Sequence, residues 1–398
     1  MSGNATSSPA ARIADDVAQR RRVCIVQRIV PHYRVPFFQA LHRELADTGI
    51  DLELIHGQEF PGTVPRGEFL DERWASRVNN RYIRIASQEL VWQPASVRTL
   101  AGADLVIVEH ANRLLLNYPL LAARGPRRRV AFWGHGANFQ STQDSAAETF
   151  KRNLARTADW WFAYTNGGAR LVESYGFPPE RVTVVNNAID SRAIREAVDG
   201  VDAATLADLR AELGIEGPGV AIFSGRLVPE KRLELLWDAA LRIRERCPTF
   251  TLLVVGEGPL GPDVARMAEQ HPWIHALGAK SGAALAPYLA LSDFLMIPGL
   301  VGLVVVDAFA AGVPLVTTRI DTHSPEIEYL EPGVNGMIAE PDGASLADAA
   351  LRLLESPALL DRMRAGCRAA AGVYTLEAMV ERFAQGVRGA LDSQPAGR

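Results

Sequence analysis

Residues 293–318, DFLMIPGLVGLVVVDAFAAGVPLVTT, constrain the fold more than any other stretch of this chain. Residues 294–297 form an apolar run of strand character that ends at Pro298-Gly299. Gly302 opens a helical segment that stops at Gly312-Val313-Pro314, and 315–318 start a second strand. A strand, a glycine turn, a helix and a strand make one βαβ unit. Its turn aims free backbone N–H groups and the positive end of a helix dipole at whatever lies above the sheet, and phosphate suits that place. Asp307, inside the helix, is within reach of a hydroxyl on the same ligand. Taken alone, the unit reads equally well as a plain buried crossover with a solvated Asp.

The alternation recurs on both sides of this unit. VCIVQRIV (23–30) suits a buried parallel strand. Pro31 and Pro36 punctuate the loop after it, and helical periodicity covers 37–47. IDLELIHG (50–57) is a second strand, and RYIRIA (81–86) reads as a return to the same sheet. Helix and strand then alternate through DLVIVEH, RRRVAFWGHG, WWFAYT and VTVVNNAID. Helices are expected at 96–101, 112–123, 145–158 and 169–175. An Ala- and Asp-rich helical connector fills 191–217, and the pattern restarts with GVAIFSG, TFTLLVVGEG, WIHALG and FLMIPG. Helices at 345–356, 359–371 and 375–390 close the chain. The expected organisation is a frayed leader at 1–21, a doubly wound α/β domain at 22–200, a second at 201–374 and a terminal helical segment at 375–398. Two such domains facing each other leave a central cleft where the strand C-termini meet.

Charge and composition remove several classes of function. Lys and Arg number 42 against 46 Asp and Glu, a net charge of −4, which argues against a nucleic-acid partner. Three scattered cysteines give neither a disulfide framework nor zinc spacing. No apolar stretch reaches membrane-spanning length, and the leader lacks a signal-peptide core. GxxxxGK[ST], GxSxG and HExxH are absent, and no GxGxxG follows the first strand.

Four strand ends in the second half carry candidate chemistry. SGRLVPEK places Gly225 at a strand end with Arg226 and Lys231 flanking the next turn, a pair of cations suited to a diphosphate. VVGEGP sets Gly256 and Glu257 where backbone can approach a ligand closely. The third is the 293–318 unit. The fourth, TRIDTHSPEIEYLEPGVNG, holds Glu326, a helix cap or a ligand contact. In the first half, His135 stands between two glycines at the end of an apolar strand, where it has no core to fill. Pro31-His32-Tyr33-Arg34 follows the first strand, as a substrate loop or as a rigid turn.

These motifs, in this order, resemble the retaining GT-B glycosyltransferases of family 4 (glycosyl transferases group 1) over nearly the whole chain. Gly225-Arg226-Leu227 with Glu230-Lys231 matches the family's GRL…EK segment, and Val255-Gly256-Glu257-Gly258-Pro259 its VGxGP. Gly302-Leu303, Asp307-Ala308, Ala310, Gly312 and Pro314-Leu315 match GL…EAxAxGxPV, and Gly333 and Gly336 its GxxG. His135-Gly136 and Asn186-Asn187-Ala188-Ile189-Asp190 match motifs of its first domain. The resemblance implies a final helix that crosses back to the first domain. It implies that Arg226 and Lys231 hold the donor diphosphate, and that Gly302, Leu303 and Val304 meet phosphate through main chain. Asp307 would take the ribose hydroxyls, His135 would lie by the anomeric carbon, and His32, Tyr33 and Arg34 would belong to the acceptor side.

Two departures stand out. The family's paired glutamates become Gly299 and Asp307, so the carboxylate that helps bind the donor sugar is missing. The usual Gly-rich loop after the first strand is Pro31-His32-Tyr33-Arg34. The implied activity is transfer of a sugar from a UDP- or GDP-type donor to a hydroxyl acceptor with retention, without cofactor or metal. The acceptor is a lipid-linked saccharide of cell-surface polysaccharide or a natural product. The expected location is the cytoplasm, with peripheral contact to the inner face of a membrane through arginines and aromatics at 60–82 and 127–129. The alternatives are a sugar-nucleotide 2-epimerase of the same fold and a non-catalytic sugar-nucleotide binding protein.

Overall fold

The computed structural model describes residues 20–58, 70–85, 88–136 and 146–394. Residues 1–19 of the expected leader, and Phe60, Arg66 and Phe69 of the stretch expected to meet lipid, lie outside the described residues. By their contacts the residues fall into two units. One runs to Val185 and resumes at Met379, and the other spans Asn186–Ala378.

The first unit is built on a parallel sheet of seven strands. They are β1 (Arg21–Gln27), β2 (Ile50–Gly57), β3 (Ala75–Val78), β6 (Leu105–Glu109), β7 (Arg129–Gly134), β8 (Trp160–Ala163) and β9 (Val182–Val184), in the order β3-β2-β1-β6-β7-β8-β9. The central strands are apolar on both faces because helices cover both. Val23 to Val26 and Val130 to Gly134 are buried without interruption. Pro36 starts the helix Val35–Asp47, where its missing N–H costs nothing. The helix Leu376–Asp392 closes one face. Its Phe383 stacks on Phe162 at 4.3 Å and meets Trp133 edge-on at 4.9 Å. At Gly386 an added Cβ would lie 2.6 Å from the Phe162 ring, so the helix rests directly on the sheet residues.

RYIRIA does not return to this sheet. β4 (Arg81–Ile85) pairs only with β5 (Gln88–Trp92), as an antiparallel hairpin. Arg81 and Arg84 fall on opposite faces of β4, so neither face is wholly apolar, as a buried parallel strand requires. Ile83 and Ile85 remain exposed. Several helix starts also differ from the expected ones, and the helix expected from 112 begins at Asn117. Thr165 caps Gly168, so the helix takes in the glycine pair and runs Asn166–Ser174. The helix expected to open at Gly302 begins at Val304.

The second unit repeats the plan with β10 (Val220–Ser224), β11 (Thr251–Val255), β12 (Ile274–Gly278), β13 (Phe294–Ile297), β14 (Leu315–Thr318) and β15 (Gly336–Ala339). All are parallel, in the order β12-β11-β10-β13-β14-β15. The unit begins at Asn186, ahead of the connector that was expected to divide the domains. The physical cause is burial. Ile194, Leu209 and Ile215 from the connector join the core of the second sheet and its helices.

Phe383→Ala removes the ring on which the last helix is seated. It should destabilise the protein by about 3–5 kcal/mol, read as a lower denaturant midpoint or thermal midpoint.

Candidate functional site

Strand order reverses between β10 and β13. Chain leaving the C-terminal ends of two such strands goes to opposite sides and opens a crevice above the sheet. The 293–318 unit therefore stands at the switch point of its domain.

Main-chain bonds lock the loops around this crevice. Gly225 N donates to Val255 O at 3.1 Å, and Leu227 N to Glu257 O at 2.9 Å. Gly256 has φ +152°, and a Cβ there would fall 1.9 Å from Gly225 O, so the loops after β10 and β11 lie backbone against backbone. Leu300 N donates to Glu230 O at 2.8 Å. A Cβ on Gly299 would lie 2.1 Å from that oxygen and 2.7 Å from Lys231 Cα, so no side chain fits at 299 as the loops stand. The loop after β14 joins through His323. Its Nδ1 accepts from Val301 N at 3.0 Å, while Nε2 faces Thr318 O at 2.8 Å. An acceptor at Nδ1 and a carbonyl at Nε2 require the neutral ring protonated on Nε2. Burial first, then the charges of Lys231 and Arg232, hold His323 below its ordinary pKa despite the bond to Thr318 O.

The charged residues stand on this frame. Arg226 is exposed, and its guanidinium forms no ion pair with a described residue. Lys231 closes the turn Pro229–Lys231 and donates from Nζ to Leu300 O at 2.5 Å. Burial pushes its ammonium down to about 8, and no carboxylate opposes the shift. Asp307 ends the first turn of the helix Val304–Ala310. Burial pushes its carboxyl up to about 7, and its side chain has no hydrogen-bond partner among the described residues. The amides of Gly302 and Leu303 find no backbone acceptor among the described residues.

Other expected residues stand elsewhere. Glu326, in the turn Pro325–Tyr329, is 3% exposed and its Oε1 accepts from the Asn187 amide. Tyr329 donates to Asn187 O at 3.1 Å, so this cluster ties down the 186–190 turn. Glu257 is exposed and offers its carbonyl to Leu227. In the first unit, His135 is exposed at the end of β7, edge-on to Tyr164 at 4.3 Å. His32 and Tyr33 are exposed on the turn His32–Arg34. Arg34, expected on the acceptor side, instead turns inward. It is 7% exposed, points Nη1 at Met379 Sδ at 3.6 Å and lies 5.9 Å over the Trp133 ring.

The sequence alone singles out neither Arg232 nor His323, and marks Asn187 only as part of the 186–190 motif. Arg232 directly follows Glu230-Lys231, and His323 lies in a polar loop after a strand. Adjacency marks the place of each but not its role.

The chain matches two family models: glycosyl transferases group 1 over residues 218–356 and glycosyltransferase family 4 over residues 17–192. It is a family-4 glycosyltransferase of GT-B fold. An α-D-kanosaminyltransferase of Streptomyces kanamyceticus is 22% identical over 68% of the chain. A D-inositol 3-phosphate glycosyltransferase of Frankia alni is 30% identical over 54% of it. The matches span 66% and 53% of those relatives' own lengths. Anabaena HepE, solved with UDP, superposes with TM-score 0.65 at 17% identity, covering 92% of this chain and 99% of that one.

Asp307 gives this glycosyltransferase a pH signature. Between about 4 and about 7 the folded carboxyl keeps a proton that the unfolded one releases, so stability falls as pH rises through that window. Asp307→Asn removes the cost. It should raise the thermal midpoint of the ligand-free enzyme at pH 8, with the gain shrinking toward pH 5.

Proposed function

We propose that this glycosyltransferase moves a sugar from a nucleoside diphosphate donor of UDP or GDP type to a hydroxyl acceptor, with retention of configuration. The observation that carries the reading is Lys231, a largely buried cation with no counter-charge, held at the switch point beside exposed Arg226. An anion must be the missing partner, and two cations beside free amides match a diphosphate. Lys231 spends one of its three donors on Leu300 O, leaving the others for phosphate. Asp307 then takes the ribose hydroxyls. HepE, of the same fold, was solved with UDP, which supports the choice of ligand class.

The step this arrangement favours breaks the bond between the anomeric carbon and the diphosphate oxygen. The acceptor oxygen bonds to that carbon on the same face, and its proton passes to the departing diphosphate. Arg226 and Lys231 stabilise the negative charge as it develops. His135 is the residue assigned to the transferred sugar. The acceptor is a lipid-linked saccharide or a natural product. The exposed hairpin of β4 and β5, with Ile83 and Ile85 beside Arg81 and Arg84, favours an acceptor presented at an anionic membrane surface.

A thermal-shift panel of UDP, GDP, dTDP and ADP names the base, since the bound nucleotide raises the midpoint. Lys231→Ala and Arg226→Ala should each lower turnover by roughly 10²–10³-fold, the range for lost transition-state charge stabilisation. Unchanged turnover in both would remove the diphosphate clamp.

The Lys231 shift adds a second reading of the same clamp. A diphosphate restores the charged form, so nucleotide binding at pH 8.5 should take up a proton. Calorimetry in buffers of different ionisation enthalpy measures it, and the uptake should vanish in Lys231→Ala.

A further inference from the structure

Two non-glycine residues have positive φ among the described residues, Asn186 and Arg232. Asparagine tolerates that conformation through its short polar side chain; arginine has no such excuse. Arg232, at φ 53° and ψ 54°, joins the turn Pro229–Lys231 to the helix Leu233–Arg246. Glycine would adopt this geometry without strain. The half-buried Arg232 side chain makes no ion pair and no hydrogen bond with a described residue. A strained arginine with no partner among the described residues, directly after Lys231 at the switch point, points to a partner outside the chain.

Its surroundings define that partner. Gly299 packs on the main chain of residues 230 and 231, so Arg232 emerges beside the end of β13. The positive charges of Lys231 and Arg232 are both felt at His323, the residue that braces this loop. Asp307, on the helix Val304–Ala310, forms no ion pair with Arg226, Lys231 or Arg232. Residue 299 carries no carboxylate and has no room for one. The cation end therefore holds Arg226, Lys231 and Arg232. The diphosphate of a sugar nucleotide brings two negative charges, which Arg226 and Lys231 match. One cation is left over.

We propose that Arg232 determines donor specificity by binding an anionic group on the transferred sugar, a hexuronate carboxylate in the simplest case. A guanidinium takes a carboxylate through two parallel hydrogen bonds, and no acidic side chain at 299 opposes it. The inference rests on the donor-site reading above.

The test is calorimetric, with wild type and Arg232→Gly. The Gly variant relieves the backbone, so its thermal midpoint should not fall. The ligands are the nucleoside diphosphate that the panel identifies and matched hexose and hexuronate donors on that base. Wild type should prefer the hexuronate donor by at least tenfold. Arg232→Gly should bring the preference within twofold while affinity for the bare diphosphate moves less than twofold. Equal loss for bare diphosphate and donor would make Arg232 a third phosphate ligand and overturn the assignment. Equal binding of both donors by wild type, or an unchanged preference in the variant, overturns it too. A sulfated or phosphorylated hexose donor preferred over the hexuronate would keep the cation's role and replace the carboxylate. Should no nucleotide bind at all, the donor-site reading fails first and carries this inference with it.

Discussion

The site depends on main chain touching main chain. The ends of β10, β11 and β13 are pressed together so closely that residues 256 and 299 have no space for a Cβ. That contact lets Leu300 N reach Glu230 O and Gly225 N reach Val255 O. The backbone carrying Lys231 is thus fixed by hydrogen bonds from a neighbouring strand end, and its ammonium is held by Leu300 O. Cations fixed in this way need not reorganise when charge develops on a leaving group, and fixed dipoles and charges are the ones that lower barriers.

That rigidity carries an electrostatic cost, spread over two ends of one crevice. Lys231 is pushed down to about 8 and Asp307 up to about 7, each chiefly by burial. The two groups form no ion pair with each other, so they do not compensate each other. A mutual salt bridge would stabilise the empty protein and occupy the groups a ligand needs. Kept apart, they suit a molecule that is anionic at one end and rich in hydroxyls at the other. Stability withheld from the free enzyme becomes available to the complex.

Much of this was legible from the residues, for definable reasons. A strand buried on both faces needs a continuous apolar run, so β1, β7, β10 and β13 announced themselves. The switch point came from the order of strands across the sheet, which no run of residues states. RYIRIA misled because its isoleucines suggest a strand while Arg81 and Arg84 put a charge on each face, which suits an exposed hairpin and not the buried sheet. The connector misled because an amphipathic helix does not state which domain will cover Ile194 or Leu209. Arg34 had a motif position that said nothing of which way its side chain would turn. Arg232 and His323 were hidden for a different reason. Their roles come from a φ angle and from loops distant in sequence, and no local pattern encodes either.

Gly299 and Arg232 meet at one corner of the site. A glutamate at 299 would drive its Cβ into Glu230 O and force the 229–231 turn away from β13. Lys231 would then lose its hold on Leu300 O, and the closeness that positions Arg232 would go with it. Conversely, a carboxylate there would neutralise the guanidinium and leave it nothing to offer a ligand. The left-handed backbone at Arg232 costs roughly 1–2 kcal/mol that glycine would spare. The chain gives up a carboxylate and accepts a strained arginine at the same corner of the crevice. Gly299 brings no carboxylate to this corner and Arg232 brings a cation, the charge balance that the proposed anionic sugar group would need.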